Sequence, residues 1–243
     1  MRDYERETTL RVAYIRSCLA AAHAAGIVFG NSGGKDCALV GILCKRACDN
    51  TVSVMMPCSS KQNYGQDLDD ARALCEKFGI ENRTVDLTAV KEAHLAALAA
   101  AGNVTADAEK NLAPRLRMAS LYTLGQSENR LVAGTGNRSE RHLGYFTKHG
   151  DGAFDFNPIA DLTVREVYEF LAYFDAPKSI REKAPSAGLF EGQTDEQEMG
   201  LTYAEVDAYL LGEATPPPET KEKIDRMHRA SAHKRAAPNL YEE

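Results

Sequence analysis

The sequence predicts an α/β fold, a doubly wound parallel sheet with helices on both faces. Short apolar runs of strand length alternate with amphipathic helical stretches along the chain. Polar turns containing glycine follow two of those runs, and the length of 243 residues suits one large α/β domain or two small ones. Strands that alternate with helices pair in parallel, so the loops that follow them should meet at one edge of the sheet.

The secondary-structure elements follow from hydrophobic periodicity. Apolar residues at three- and four-residue steps predict a helix over 3–25, with Leu10, Tyr14, Ile15, Cys18 and Leu19 on its apolar face. Strands are predicted over 26–29, 51–56, 81–87 and 129–134, with a short fifth strand beginning at Phe154. Helices are predicted from Cys37, over 67–78, from Thr88 and over 219–229, and 58–65 is a polar loop.

Composition excludes several classes of protein. The net charge of −6 argues against a general nucleic-acid binder. No apolar stretch approaches the roughly 20 residues needed to span a bilayer, and residues 1–7 are charged, unlike a secretory signal. All six cysteines fall in the first third of the chain without a C-x-x-C pair or a suitable histidine for zinc. Reduced thiols and a cytoplasmic location are therefore expected, with neither nucleic acid nor a membrane as partner.

A glycine-rich loop follows the first predicted strand and opens a predicted helix. It comprises Gly30, Asn31, Ser32, Gly33, Gly34, Lys35, Asp36 and Cys37. Strand, tight turn and helix aim backbone N–H groups at one point, which binds anions and above all phosphates. The spacing fits neither a Walker A loop nor G-x-G-x-x-G. Because Asp36 would repel a polyphosphate unless a cation bridged the two, it is a magnesium-ligand candidate.

The order Ser-Gly-Gly-x-Asp resembles the pyrophosphate loop of N-type ATP pyrophosphatases, which split ATP into AMP and pyrophosphate. Further motifs follow over 134–140, 144–152, 155–159 and 185–196, reading GTGNRSE, GYFTKHGDG, DFNPI and PSAGLFEGQTDE. Together they make the chain similar to the ammonia-dependent NAD synthetase family from about residue 26 to residue 234. The resemblance implies an adenine nucleotide α-hydrolase-like, Rossmann-like fold. It also implies one domain over 1–243, with an N-terminal helix in 1–25, an α/β core in 26–211, and a C-terminal helix and tail in 212–243.

The resemblance also implies a reaction in two halves. The carboxylate of deamido-NAD attacks the α-phosphate of ATP and releases pyrophosphate, and ammonia then displaces AMP from the adenylate to give NAD. Magnesium and a homodimer are implied with it. Only about 25 residues precede the first strand, too few for a fused domain that takes ammonia from glutamine, so free ammonia is the expected donor.

Site residues carry over from the family position by position. The loop Gly30–Cys37, Thr135 and Ser186 would contact ATP, and Asp36 and Glu140 would bind magnesium. Arg115, Lys148, Asp155, His233 and Lys234 would contact deamido-NAD, and Asp36, Lys148 and Asp155 are the predicted catalytic residues. The aromatic rings of Tyr145 and Phe146 are expected to direct Lys148. Segments 185–198 and 228–235 are polar and are expected to act as lids.

The chain departs from the family pattern at three positions. Cys37 replaces a serine, Pro114 stands before Arg115 and is expected to kink its helix, and Val164 replaces a lysine that contacts ATP. Two other functions stay open from the sequence. One is a related ATP-pyrophosphatase synthetase with a different acceptor, such as GMP synthetase or a tRNA-thiolating enzyme, and the other is a non-catalytic nucleotide-binding homologue.

Overall fold

The computed structural model describes residues 2–59, 64–183 and 194–241. Its sheet consists of four parallel strands: β1 (Gly26–Gly30), β2 (Thr51–Met55), β3 (Glu81–Thr84) and β4 (Arg130–Ala133). Their spatial order is β3-β2-β1-β4. The chain therefore winds outward from β1 to β3 and then returns to the other side of β1. The strand order reverses between β1 and β4, which is where such sheets bind ligands.

Thirteen helices surround the sheet in the described part of the chain. They are α1 (Tyr4–Ala22), α2 (Lys35–Ala47), α3 (Gln66–Phe78), α4 (Thr88–Ala99), α5 (Ala106–Lys110), α6 (Leu112–Ser127), α7 (Arg138–Leu143), α8 (Val164–Tyr173), α9 (Lys178–Arg181), α10 (Asp195–Met199), α11 (Tyr203–Leu210), α12 (Pro218–Ala230) and α13 (Ala232–Arg235).

The strands alternate their side chains between two buried faces. Ile27 and Phe29 of β1 belong to a core formed with α2 and α8, whereas Val28 packs with Val132 and α6 on the other face. A third apolar cluster joins α7 and α8 to α11 and α12 near the C-terminus. Helices on both faces of an all-parallel sheet confirm the predicted doubly wound α/β class.

The predicted fifth strand is reduced to a single parallel bridge between Phe156 and Ala133. The backbone N–H of Gly134 donates to the carbonyl of Phe156 at 2.8 Å, and the N–H of Asp155 donates to Val132 at 2.9 Å. The run is too short to extend the ladder. It nevertheless covers the outer edge of β4, where unpaired N–H groups would otherwise be exposed.

Helix α1 buries part of the predicted apolar face. Ile15 is fully buried and Cys18 and Leu19 pack against the core, whereas Leu10 is 53% exposed and Tyr14 is 44% exposed. Arg11 on the same helix is buried and donates to the carboxylate of Asp161 at 2.6 and 2.8 Å. Because a buried guanidinium needs an anionic partner, this ion pair fixes the rotation of α1 together with Ile15.

All six cysteines are free, and Cys37, Cys44, Cys58 and Cys75 are buried. Most of the thiols are thus buried as expected, and they pack as small apolar groups. Among the described residues, no helix combines the length and apolar character needed to cross a bilayer.

Candidate active site

A cavity of about 690 Å³ opens at the carboxyl ends of β1 and β4. The loop after β1 contributes Ser32 and Asp36 to its wall, and the segment after β4 contributes Thr135 and Glu140. Of the predicted glycine loop, every residue except Gly33 lines the cavity. The sheet therefore brings the two predicted loops together at its switch point, as the strand order requires.

Gly33 has a structural role beneath this wall. Its φ of +72° is left-handed, and a Cβ at this position would lie 2.2 Å from the carbonyl oxygen of Asp67. Glycine is the residue that satisfies both constraints. The side chain of Asn31 fixes the same turn, because its Oδ1 accepts from the N–H of Gly33 at 3.0 Å and its Nδ2 donates to Ser53 at 3.1 Å.

Helix α2 begins directly behind the loop. Gly34 is its N-cap and supplies no side-chain hydrogen bond, and the positive end of the helix dipole lies at the loop, with the Asp36 carboxylate in the first turn. Ser32 Oγ lies 3.3 Å from Cys37 Sγ and accepts from the N–H of Gly34 at 3.3 Å. The thiol that replaces the family's serine therefore still contacts the loop hydroxyl.

Three charged side chains meet at the floor of the cavity. The ammonium nitrogen of Lys35 lies 2.6 Å from Asp36 Oδ2 and 3.5 Å from Glu140 Oε1. The Lys35 side chain is only 6% exposed, and those of Asp36 and Glu140 are 15% and 17% exposed. Two carboxylates from different strand ends thus share one cation, as the predicted partnership of Asp36 and Glu140 requires.

The electrostatics of this cluster follow from its burial. Burial followed by repulsion from Asp36 raises the pKa of Glu140 to about 8, against the opposing effect of Lys35. Burial alone would lower the pKa of Lys35, but the charges of Asp36 and Glu140 raise it above its ordinary value. Ionisation of Glu140 beside Asp36 is therefore favoured by a nearby cation, and the lysine stays charged to supply it.

The donor set fits a magnesium ion that is completed by substrate. Carboxylate oxygens are hard ligands, and magnesium in phosphate-transfer sites takes one or two of them together with phosphate oxygens and water. Asp36 and Glu140 supply two such groups. In residues 2–59, 64–183 and 194–241, no cluster of three or more His, Cys, Asp or Glu side chains could hold a metal alone.

Asn137 orients both carboxylates, a role that the sequence analysis missed. Its Nδ2 donates to Asp36 Oδ1 at 3.0 Å, and its Oδ1 accepts from the N–H of Glu140 at 3.0 Å. Glu140 Oε2 accepts in turn from the Asn137 N–H at 3.3 Å, which completes a capping box on α7. The spacing Asn-x-x-Glu after a strand was visible in the sequence as a helix-start signal.

Other polar residues in or near the wall carried no local sequence signal. Lys183 donates to Asp67 at 2.7 Å and to Asp70 at 2.9 Å, and it lines the cavity beside the glycine loop. The ring of Tyr203 lies 5.8 Å from the Lys35 nitrogen, and its hydroxyl donates to Asp195 at 3.3 Å. The contacts of Lys183 and the approach of Tyr203 to Lys35 join residues far apart in the chain, so spacing alone could not reveal them.

The lysine missing at position 164 is not replaced by its neighbour. Val164 is buried in the apolar cluster at the start of α8. The guanidinium of Arg165 is paired with Glu213 at 2.6 Å, and Arg165 is not among the described residues that line the cavity. Consecutive helix residues point in different directions, which accounts for this separation.

The predicted deamido-NAD residues occupy two places. Lys234 lines the cavity, whereas Arg115, Lys148, Asp155 and His233 are not among the described residues that form its wall. Lys148 Nζ donates to the carbonyl of His233 at 2.8 Å, and Arg115 Nε donates to the carbonyl of Lys148 at 3.4 Å. Arg115, Lys148 and His233 therefore meet beside the cavity.

Asp155 stands apart from that group. Its carboxylate accepts from the N–H of Val132 in β4 at 2.7 Å. Burial, followed by the charge of Asp155 and a hydrogen bond to it, raises the pKa of Tyr122 to about 12. In the structure, Asp155 thus closes the edge of β4 and contacts a tyrosine of α6.

The rings of Tyr145 and Phe146 do not direct Lys148 as expected. The ammonium of Lys234 lies 5.5 Å from the centre of the Phe146 ring and donates to the carbonyls of Gly144 and Phe146, each at 2.9 Å. Tyr145 donates instead to Glu198 at 2.7 Å. The reason is that the C-terminal tail brings a second lysine to this surface, a contact that local sequence does not encode.

Two further expectations concern Pro114 and the polar segments. Pro114 is the third residue of α6, where no backbone N–H has a partner within the helix, so the expected interior kink has no basis there. Ser186 lies outside the described residues, as does the 185–193 part of the predicted first lid. The second segment lies within the described residues and ends in α13.

Comparison with known proteins gives matches that cover nearly the whole chain. The family model described as NAD synthase matches residues 7–238. The chain is 42% identical to the NH(3)-dependent NAD(+) synthetase of Carboxydothermus hydrogenoformans over 98% of each protein. The structure of NMN synthetase from Francisella tularensis aligns with a TM-score of 0.93 and 37% identity, covering 99% of both chains. The NH3-dependent NAD synthetase from Campylobacter jejuni, in complex with nitrate ion, aligns with a TM-score of 0.80 and 28% identity, over 99% of this chain and 100% of that one.

A glycine loop and two converging carboxylates at the switch point of a parallel sheet are typical of a nucleotide-dependent enzyme. The chain belongs to the NAD synthase family. Its relatives support ammonia-dependent NAD synthesis, a ligase reaction that forms a C–N bond, over a synthetase with another acceptor or a non-catalytic homologue.

Proposed function

We propose that this enzyme converts deamido-NAD, ATP and free ammonia to NAD, AMP and pyrophosphate with the residues of the cavity described above. The observation that carries the residue assignment is the convergence of the glycine loop with the carboxylates of Asp36 and Glu140 in one cavity. Phosphate groups and their charge-balancing cation are both needed in one place for nucleotide transfer.

The first half-reaction makes a leaving group. A carboxylate oxygen of deamido-NAD forms a bond to the α-phosphorus of ATP, and the bond from that phosphorus to the pyrophosphate oxygen breaks. In the second half-reaction, ammonia attacks the carbonyl carbon, AMP leaves with the former carboxylate oxygen, and the nitrogen loses a proton. The protein contributes positioning and charge neutralisation rather than a covalent step of its own.

The loop is assigned to the phosphates of ATP. Ser32, Gly34 and Cys37 line the cavity at the start of α2, where the helix dipole favours negative charge. Thr135 lines the opposite wall after β4. Gly33 holds the turn from beneath, and Ser186 is retained as an ATP contact on the resemblance alone.

Magnesium is assigned to Asp36 and Glu140. The ion would neutralise the departing pyrophosphate, which supplies its remaining ligands together with water. Asn137 hydrogen-bonds to Asp36 and to the backbone of Glu140, and so fixes the positions of the two proposed metal ligands relative to each other.

Deamido-NAD is assigned to Lys234 in the cavity and to the neighbouring group of Arg115, Lys148 and His233, with Asp155 as a further contact. The hydrogen bonds that join these residues support a continuous surface from the cavity to α6.

We propose that a homodimer completes this surface at α6. The free cysteines support a cytoplasmic setting for the reaction.

The direct test is to combine the protein with ATP, magnesium, deamido-NAD and ammonium. NAD and AMP should form in equal amounts, and each mole of NAD should be accompanied by one of pyrophosphate. Replacement of ammonium by glutamine should abolish product. Full activity with purified protein and glutamine alone would contradict free ammonia as the donor.

Two substitutions separate the roles within the site. Asp36→Ala should slow pyrophosphate release by about 100-fold or more, since it removes a charge-balancing group from the transition state. Lys148→Ala should raise the KM for deamido-NAD much more than that for ATP. Lys178→Ala is the control, because Lys178 is exposed on α9 and pairs only loosely with Glu182 at 3.6 Å. Equal losses for both substrates in Lys148→Ala would remove Lys148 from the deamido-NAD site.

A second candidate substrate follows from one comparison. The high TM-score to the NMN synthetase makes amidation of the mononucleotide, nicotinic acid mononucleotide, a specific alternative. The same adenylation chemistry would then act on the carboxylate of the mononucleotide, which is smaller than deamido-NAD. Comparing kcat/KM for the mononucleotide and for deamido-NAD decides between them, and a higher value for the mononucleotide would transfer the assignment to NMN synthesis.

A further inference from the structure

Lys35 occupies an unusual place in the active site. It is the first residue of α2 and stands at the variable position of the Ser-Gly-Gly-x-Asp loop. Its ammonium is nevertheless turned inward, with the side chain 6% exposed and the ring of Tyr203 beside it. A cation therefore already lies between Asp36 and Glu140, the two proposed magnesium ligands.

This arrangement conflicts with a metal on the same oxygens. A magnesium ion binds carboxylate oxygen at about 2.0–2.1 Å. The Lys35 nitrogen is 2.6 Å from Asp36 Oδ2 and 3.5 Å from Glu140 Oε1. Two cations cannot share these positions without strong repulsion, because so little water separates them at such a buried site. Binding of one must displace the other.

We propose that Lys35 is a displaceable counter-cation, which holds the two carboxylates until a divalent metal replaces it and then neutralises the phosphates of the nucleotide. The inference rests on the proposed metal site at Asp36 and Glu140. Lys35 also lines the cavity together with Ser32 and Gly34, so its ammonium can reach an anion bound at the loop. A flexible four-carbon stem suits this exchange, whereas a rigid group would not.

The exchange makes metal and pyrophosphate bind cooperatively. Without an anion, the metal must expel a buried ammonium that has no new partner, which weakens metal binding. With pyrophosphate present, the expelled ammonium gains an anionic partner, and by linkage the metal strengthens pyrophosphate binding by the same factor. Lys35 is thus a positioning residue that delays loading of the metal until the phosphates arrive.

The test measures Mn²⁺ binding by electron paramagnetic resonance and calorimetry, with and without pyrophosphate. Without pyrophosphate, Lys35→Gln should bind Mn²⁺ at least about tenfold more tightly than the wild type does. A tenfold gain in affinity corresponds to about 1.4 kcal/mol of binding free energy. Pyrophosphate should then improve the Mn²⁺ affinity of Lys35→Gln by a smaller factor than that of the wild type. Lys35→Arg keeps the cation and should show no gain.

Two controls separate the possible failures. Lys45→Gln removes a lysine from the far end of α2, where Lys45 pairs with Asp49 at 3.3 Å, and should leave Mn²⁺ affinity unchanged. Asp36→Asn should lose Mn²⁺ binding. If Asp36→Asn binds Mn²⁺ like the wild type, the metal site itself is wrong. If Asp36→Asn is defective but Lys35→Gln shows no gain, only the displacement by Lys35 is overturned.

A measurement on the wild-type protein keeps the inference testable should Lys35→Gln fail to fold. Lys35 should react slowly with a small amine-acylating reagent, because its side chain is buried. Mn²⁺ should increase acylation of Lys35, detected by mass spectrometry, and addition of pyrophosphate with the metal should suppress it again. A labelling rate that Mn²⁺ does not change would overturn the displacement.

Discussion

The side-chain amide of Asn137 donates to Asp36 at 3.0 Å and thereby ties the loop after β1 to the segment after β4. The same amide oxygen caps α7 through the N–H of Glu140. One fully buried side chain therefore sets the separation of both proposed metal ligands. Asn137 both caps α7 and positions the proposed metal ligands, so its substitution should affect both stability and activity.

Asn137→Ala should lower the free energy of unfolding by about 1–2 kcal/mol through loss of the cap, and it should also slow pyrophosphate release. Thr163→Ala is the matched control, because Thr163 is equally buried and forms a capping box with Glu166 on α8 without touching Asp36. Chemical denaturation and a pyrophosphate-release assay distinguish the two effects. A comparable rate loss in Thr163→Ala would mean that Asn137 acts only through helix stability.

Much of this arrangement could be predicted from sequence, but not all of it. The strand-loop-helix at Gly30–Cys37 is local, and its Ser-Gly-Gly-x-Asp spacing predicted a phosphate-binding loop, which the structure places in the cavity wall. The Asn-x-x-Glu cap at Asn137 was also local and was overlooked. By contrast, the burial of Arg11 on α1 depends on Asp161, 150 residues away, and was not predicted. Long-range ion pairs of this kind leave no periodic signal.

Gly33→Ala should be the most damaging alanine substitution in the loop. The new Cβ would lie 2.2 Å from the carbonyl oxygen of Asp67 while the backbone stays at a φ of +72°. We expect a loss of about 2 kcal/mol or more in the free energy of unfolding, together with a raised KM for ATP. Gly212→Ala is the control, since its φ is +71° with nothing within 4 Å of the added Cβ. It should cost only about 1 kcal/mol. Equal losses in the two variants would mean that contact with Asp67 is unimportant.

Lys234→Met should loosen the C-terminal tail. The change keeps the apolar stem but removes the two hydrogen bonds from the ammonium to the carbonyls of Gly144 and Phe146. We expect faster proteolysis of the tail, a loss of about 1–2 kcal/mol in stability and a raised KM for deamido-NAD. His233→Ala is the control for tail stability, because Lys148 donates to the backbone carbonyl of His233 rather than to its ring. Proteolysis of His233→Ala as fast as that of Lys234→Met would contradict this division.

Stability should fall on acidification because of His142. Burial, followed by the charges of His228 and Arg235, lowers the pKa of His142 to about 4. Its ring stacks on His228 at 4.1 Å, and its Nε2 has no hydrogen-bond partner among the described residues. The unfolded chain binds a proton here near pH 6.5, whereas the folded protein resists protonation until about pH 4. The stabilising contribution is therefore present above pH 6.5 and is lost as the pH falls towards 4.

His142→Phe keeps a ring against His228 but cannot titrate, so its unfolding free energy should decline less steeply between pH 6.5 and 4 than that of the wild type. Because His142 is only half-buried, the difference should amount to about 1 kcal/mol. Urea denaturation at several pH values measures it, with His94→Gln on the exposed side of α4 as the control for removing a histidine. If His142→Phe and the wild type show the same pH slope, the acid sensitivity arises elsewhere. Protonation of His142 would then leave the contact between α7 and α12 unchanged. Helix α7 also carries Glu140 in its first turn.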